Sequence, residues 1–282
     1  MIATASRPVP TDHPALATLL SRPTPAVMGV LNITPDSFSD GGQFLAPEQA
    51  LAQARRLIAE GADIVDIGAE SSRPYGSPQP VSPEQELQRL RPVLAEVATL
   101  GRPVSIDSMK SKVVAWALGA GAAIANDVWG LQRDPEMADV IASHRAAVIV
   151  MHNRGRADPA IDIMRDIAAF FGRSLDIAAR AGIDESRIVL DPGIGFGKTP
   201  EQSITALARL DEIRSFGLPI LVGASRKRFI DSISQSRPDQ RLGGSIAAHL
   251  LAARNGARII RTHDVPETVQ ALRVARAIED RR

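Results

Sequence analysis

From residue 26 onward, short apolar runs rich in Val and Ile alternate with longer segments of helical spacing. The runs cover 26–33, 63–68, 103–107, 122–128, 146–152, 188–191, 219–225 and 258–262. Most lack in/out alternation, as strands of a parallel sheet buried on both faces should. Between them, helices are expected over 47–60, 83–100, 161–181, 201–216, 245–255 and 267–278. In the first of these, Leu51, Ala54, Leu57 and Ile58 form one stripe behind Pro47 in the opening turn. A Gly-Ala pair precedes three of the runs, at Gly61-Ala62, Gly121-Ala122 and Gly256-Ala257, and each glycine suits a helix C-cap. Eight strand-then-helix units predict an α/β fold, a single-domain (β/α)8 TIM barrel over 26–282. A doubly wound open sheet is the alternative, but it usually needs fewer strands. Residues 1–25, broken by Pro8, Pro10, Pro14, Pro23 and Pro25, are expected as a leader outside the barrel.

In such barrels the chemistry gathers where the strands end. Every expected strand end here carries a polar or charged group: Asn32, Glu70 to Arg73, Asp107, Asn126-Asp127, His152-Asn153, Asp191, Ser225-Arg226-Lys227, and Arg261 to Asp264. One such residue is commonly a helix cap or a turn former. Eight on one rim point to a site.

Composition narrows the chemistry. Lys and Arg total 33 against 32 Asp and Glu, a net charge of +1 with no block of like charge, which argues against a nucleic-acid or anionic-membrane surface. Aromatics make up only 4%, too few for a base-stacking platform. The absence of cysteine excludes disulfides, thiolate metal sites and a Cys nucleophile, and suits a reducing cytoplasm. No apolar stretch approaches the roughly 18 residues of a membrane span.

The loop after the first strand, Asn32 to Gly42, exceeds the usual length of about 2 to 6 residues and ends in a glycine pair, as a lid would. Asn32 at its base offers an amide oxygen, a hard ligand suited to Mg²⁺ shared with a phosphate. In the second loop Arg73, among Pro74, Pro78 and Pro80, can clamp an anion or simply be solvated. Asp107, Asn126 and Asp191 can accept N–H bonds from an amino-pyrimidine edge, or can serve as caps, turn formers or general acid/base groups. The segment Asp191 to Thr199 approaches a phosphate-binding P-loop but has Pro192 where the first glycine belongs, so that reading fails. Its glycines instead let backbone approach a ligand, with Phe196 as a cover. Lys227 and the pair Arg261 and His263, on one strand face, can supply cations for phosphate. His152 is expected as a hydrogen-bonded core residue, and the five histidines show no H-x-x-x-H zinc spacing.

Together these segments resemble the dihydropteroate synthase family. Val30-Leu31-Asn32-Ile33-Thr34-Pro35-Asp36-Ser37-Phe38-Ser39-Asp40-Gly41-Gly42 is similar to its first signature, and Asp66-Ile67-Gly68-Ala69-Glu70-Ser71-Ser72-Arg73-Pro74 to its second. Ser105 to Ser108, Asn126 to Val128, Asp191 to Lys198, Ser225 to Lys227 and Arg261 to Asp264 follow in order, so the resemblance covers residues 26–280. It implies a cytoplasmic transferase of folate biosynthesis that joins p-aminobenzoate to a 7,8-dihydropterin methyl diphosphate, with Mg²⁺ as cofactor, releasing pyrophosphate. It also implies a homodimer whose partners are these small molecules, without nucleic acid or membrane. By resemblance Ser72, Asp107, Asn126, Asp191 and Lys227 hold the pterin diphosphate, with Arg261, His263 and Mg²⁺-bound Asn32 at its diphosphate. Ser72, Arg73, Pro74, Phe196 and Ser225 shape the p-aminobenzoate site. Asn32, Asp40, Arg73, Lys227, Arg261 and His263 form the implied catalytic set.

The chain departs from the family pattern in places. Pro74 to Pro80 is longer than the commonest form, Ser72 and Ser108 stand where Thr is usual, and Asn153 and Ser203 replace more familiar residues. None of these removes a ligand-binding group. Two other functions compete with the synthase: a related barrel that moves methyl groups from methyltetrahydrofolate to a corrinoid, and a non-catalytic pterin-binding paralogue. Neither requires Arg73, Lys227, Arg261 and His263 together.

Overall fold

The computed structural model describes residues 13–33, 46–70 and 81–281. Eight parallel strands close into a barrel in chain order, β1 pairing with both β2 and β8. They are β1 (Ala26–Asn32), β2 (Ile64–Gly68), β3 (Val104–Asp107), β4 (Ile124–Asp127), β5 (Ala147–Met151), β6 (Ile188–Asp191), β7 (Ile220–Val222) and β8 (Ala257–Thr262). The helices described are α1 (Pro14–Leu20), α2 (Ala46–Ala59), α3 (Pro83–Leu90), α4 (Leu94–Ala98), α5 (Ser111–Gly119), α6 (Met137–Ser143), α7 (Ile163–Arg180), α8 (Pro200–Ala208), α9 (Arg228–Ile233), α10 (Leu242–Arg254) and α11 (Val265–Glu279). The expected TIM barrel is the observed fold, and the open sheet is excluded by closure.

Residues of one strand point alternately into the barrel and out toward the helices. The outward set, including Val27, Leu31, Val65, Ile67, Val148, Val150 and Ile260, joins the helices in one large core. The inward set forms a separate cluster of Ala26, Met28, Ile64, Ile124, Ala147, Ile149, Val189, Leu221 and Ile259. These plug the lower barrel. Two residues further along the same inward faces come Asp66, Asn126, Asp191 and Arg261. The same period-2 geometry that fills the base with aliphatic side chains therefore turns a polar ring toward the mouth.

Three local outcomes differ from the expectations. The single helix expected over 83–100 is broken into α3 and α4, because Pro92 lacks an N–H and its ring clashes with the preceding turn. The helix expected over 201–216 ends at Ala208 and continues as a 3-10 segment, Leu210–Phe216. The segment expected as a leader supplies α1, whose Leu16 and Leu19 bury themselves in the lower barrel cluster with Met28 and Ile64. Two helix starts are capped by local side chains: Asp162 accepts the amides of Met164 and Arg165, and Thr199 forms a capping box with Gln202.

Candidate active site

Strand register brings the polar ring together. Asn32 pairs in register with Gly68, Gly68 with Asp107, and Asp107 with Asn126. Across the mouth, Arg261 donates from Nε to Asp66 Oδ2 at 2.6 Å and from Nη2 to Asp107 Oδ2 at 2.8 Å. Asn126 Nδ2 donates to Asp66 Oδ2 at 3.3 Å. One guanidinium thus bridges β8, β2 and β3. Burial pushes the Asp107 carboxyl up, to about 7, against the pull of Arg261. Burial alone would lower the Arg261 pKa, but the two carboxylates more than offset it, so the guanidinium stays charged.

Asp191 ends β6, with Oδ1 accepting the Gly193 amide at 2.7 Å. Burial lifts its carboxyl to about 6, while that amide, Lys227 and Arg261 pull it down. The loop that follows crosses close beneath the end of β5. Gly193 has φ +64, and a Cβ there would overlap the His152 carbonyl oxygen; Gly197 has φ +56 and would overlap that of Arg154. Only glycine supplies both the left-handed backbone and the clearance. Phe196 of this loop lies under Lys227, whose Nζ is 4.1 Å from the ring centroid.

The turn after β7 is held from several sides. Arg226 has φ +58, its amide donates to Ser245 Oγ at 2.9 Å, and its carbonyl accepts from Arg241 at 3.1 Å. Its guanidinium forks onto Asp264. These contacts place Ser225 beside His263: Ser225 Oγ accepts the His263 amide at 3.2 Å and lies 3.0 Å from Nδ1. With Oγ donating to Nδ1, the imidazole proton sits on Nε2. The cations Arg261 and Arg226 beside this solvent-exposed ring hold its pKa below the ordinary histidine value. His263 is accordingly a neutral N–H donor, whereas its place beside Arg261 had suggested a second cation.

Asn32, Asp107, Asn126, Asp191, Phe196, Ser225, Lys227, Arg261 and His263 all fall at the strand C-terminal ends or in the loops just beyond them. Asp40, Ser72, Arg73 and Pro74, with residues 34–45 and 71–80 of the two long loops, lie outside the described residues. Sequence reasoning passed over Asp66, which is fully buried and anchors Arg261 and Asn126. The signal was present, since an acid inside the apolar strand Ile64–Gly68 demands a cationic partner. It also passed over Lys198, buried against His152.

Among the described residues no three His, Cys or Asp/Glu side chains cluster as a metal site. Magnesium, however, commonly takes one or two protein oxygens, keeps several waters and binds substrate phosphates. The mouth suits that mode. A Cβ on Gly68 would lie 3.7 Å from Asp107 Oδ2 and 3.8 Å from Asn32 Oδ1, so the missing side chain keeps the space between these oxygens open.

Residues 28–263 match the pterin binding enzyme family. The chain is 40% identical over 253 residues to the dihydropteroate synthase of Bacillus subtilis (strain 168), covering 89% of this chain and 88% of that protein. Among solved structures, dihydropteroate synthase of Xanthomonas albilineans with 4-aminobenzoic acid superposes with a TM-score of 0.86 at 43% identity, covering 91% of this chain and 94% of that one. The same enzyme in complex with 7,8-dihydropteroate gives 0.83 at 41% identity, with 91% and 94% covered.

Proposed function

This chain belongs to the pterin-binding enzyme family, and from that premise we propose that its barrel mouth condenses (7,8-dihydropterin-6-yl)methyl diphosphate with p-aminobenzoate to give dihydropteroate and pyrophosphate. Similarity to synthases over nine-tenths of the chain sets aside both corrinoid methyl transfer and a non-catalytic role. The carrying observation is the juxtaposition of the buried acceptors Asp107, Asn126 and Asp191 with the half-buried cations Arg261 and Lys227 at one mouth.

The acceptors suit the amino-pyrimidine edge of the pterin, whose N–H groups need partners once water is excluded. Asp191 and Asp107 end strands, so their positions are rigid before substrate arrives. Lys227, over Phe196, supports the pterin through its N–H donors. Arg261 and the Nε2–H of His263 serve the diphosphate: the first as a permanent cation, the second as a neutral donor held by Ser225.

In the reaction the bond between the methylene carbon and the diphosphate oxygen breaks, and its electron pair leaves with the oxygen. Donors aimed at that oxygen stabilise the developing charge. The electron-rich dihydropterin spreads the positive charge left on carbon. The aniline nitrogen then forms the new C–N bond, and its proton passes to pyrophosphate or solvent, so no general base is required. Asn32 is the residue to hold Mg²⁺, which when bound would neutralise diphosphate charge. Phe196 and Ser225, with Ser72, Arg73 and Pro74, form the p-aminobenzoate side, and Asp40 and Arg73 complete the catalytic set.

A cytoplasmic homodimer is the setting that fits. The lack of cysteine supports the compartment, and the exposed Leu251, Val274 and Ile278 of α10 and α11 support self-association. No described helix is long and apolar enough to cross a membrane.

Incubation of the purified protein with both substrates and Mg²⁺ should yield dihydropteroate and pyrophosphate. Retention of both substrates unchanged would overturn the reading.

A further inference from the structure

Lys198 is buried, 6% exposed, yet among the described residues its ammonium group meets no carboxylate directly. Nζ lies 2.6 Å from His152 Nδ1, 2.9 Å from the Gly193 carbonyl oxygen and 3.3 Å from that of Phe196. His152 Nε2 lies 2.9 Å from Asp166 Oδ2, so its proton sits on Nε2 and Nδ1 presents a lone pair to the lysine. Three acceptors therefore match the three N–H donors of an ammonium ion. Burial, then the charge of Lys198, hold the His152 pKa down to about 3, so the imidazole stays neutral.

A buried cation without a carboxylate partner is costly, and an aliphatic side chain would fill the same space at lower cost. What the charge supplies here is directional. The Gly193 carbonyl also accepts the Phe196 amide at 3.0 Å, closing the turn that carries the Phe196 ring to Lys227. Lys198 ties both ends of that turn to the residue following β5. Gly193 and Gly197 press the same two segments together from the backbone side.

We propose that Lys198 is a positioning residue for the p-aminobenzoate site, its ammonium group pinning the Gly193–Phe196 turn to His152 and so setting the Phe196 ring. This rests on the assignment of Phe196 to that side of the synthase site. The charged groups around Nζ are Asp166 and Arg154 beyond His152, Asp191 at the end of β6, and Lys227 across the Phe196 ring. Burial lowers the Lys198 pKa to about 7, with Asp191 and Asp166 opposing, so the third donor is lost on the alkaline side of neutrality.

The test is steady-state kinetics of Lys198→Met against wild type, varying each substrate in turn across neutral and alkaline pH. The expected result is a KM for p-aminobenzoate raised about tenfold, with the KM for the pterin diphosphate within about twofold of wild type. The wild-type KM for p-aminobenzoate should also climb with pH above about 7, and this climb should vanish in the variant. Equal rises in both KM values, or none, would overturn the proposal. If Lys198→Met does not fold, the wild-type profile decides: a p-aminobenzoate KM independent of alkaline pH sinks the idea. Wild-type turnover in the same assay tests the synthase reading separately, so failure of one is not mistaken for failure of the other.

Discussion

Arg261 Nη2 lies 2.8 Å from Asp107 Oδ2, so the cation assigned to the diphosphate and a carboxylate assigned to the pterin are already bonded to each other. Asp66, bonded to the same guanidinium at 2.6 Å, makes the arrangement a buried triad of two acids and one base. Replacing Arg261 with Leu leaves the buried carboxyl groups of Asp66 and Asp107 facing each other without a counter-charge. Breaking such a buried pair typically costs about 3 kcal/mol or more of stability. The loss should shrink toward acid pH, where protonation relieves the repulsion. Urea unfolding of Arg261→Leu at neutral and acid pH checks both statements, and an equal loss at the two pH values contradicts the second.

Asp191→Asn should leave the fold intact and weaken pterin binding by about 1 to 3 kcal/mol, roughly fivefold to more than a hundredfold. The amide replaces one acceptor oxygen with a donor that opposes either the pterin N–H groups or the Gly193 amide now bonded to Oδ1. Calorimetry of the folded variant with a pterin ligand measures this directly. Near-normal affinity would remove Asp191 from the site.

The pH dependence of pterin affinity follows from the same carboxyl, lifted by burial from 3.8 to about 6. Recognition requires the carboxylate, so affinity should fall as pH drops below about 6. Stability moves the other way. Between about 4 and 6 the folded state holds this proton and the unfolded chain has lost it, so the Asp191 contribution disfavours folding increasingly as pH rises through that window and is constant above it. Pterin titrations on either side of pH 6 should therefore show the loss in wild type and not in Asp191→Asn.

Two glycines with similar backbones should respond unequally to alanine. Gly101 has φ +79 and no atom within 4 Å of the place a methyl group would take, so Gly101→Ala meets only the left-handed penalty, about 1 kcal/mol. Gly193 has φ +64 and the His152 carbonyl in the way, so Gly193→Ala should lose about 3 kcal/mol or more and displace the loop carrying Phe196. Thermal melts of the pair, with p-aminobenzoate KM for the second, separate strain from collision.

Much of the site is legible in the amino-acid order, because its residues sit where locally recognisable strands end. Asp107, Asn126 and Asp191 each close a short run of Val and Ile, and the barrel turns such ends toward one mouth. The helix starts at Ser82, Asp162 and Thr199 are equally local, each cap lying within three residues of the amide it satisfies. The break at Pro92 is written in the chain as well, although periodicity alone overlooks it.

Asp66 and Lys198 are not legible in that way. Asp66 meets Arg261 195 residues later, and Lys198 meets His152 46 residues earlier. The charge of His263 likewise depends on Arg261 and Arg226 lying near it. By itself, then, the sequence determined the eight strands, six of the helical segments between them and the polar character of the mouth, all of which depend on hydrogen bonding and periodicity within a few residues. Only the tertiary structure decided which acid holds which base, which lysine is buried and which histidine is neutral. Coulombic and desolvation energies depend on distance through space and on the exclusion of water, and both were set when β8 closed against β1.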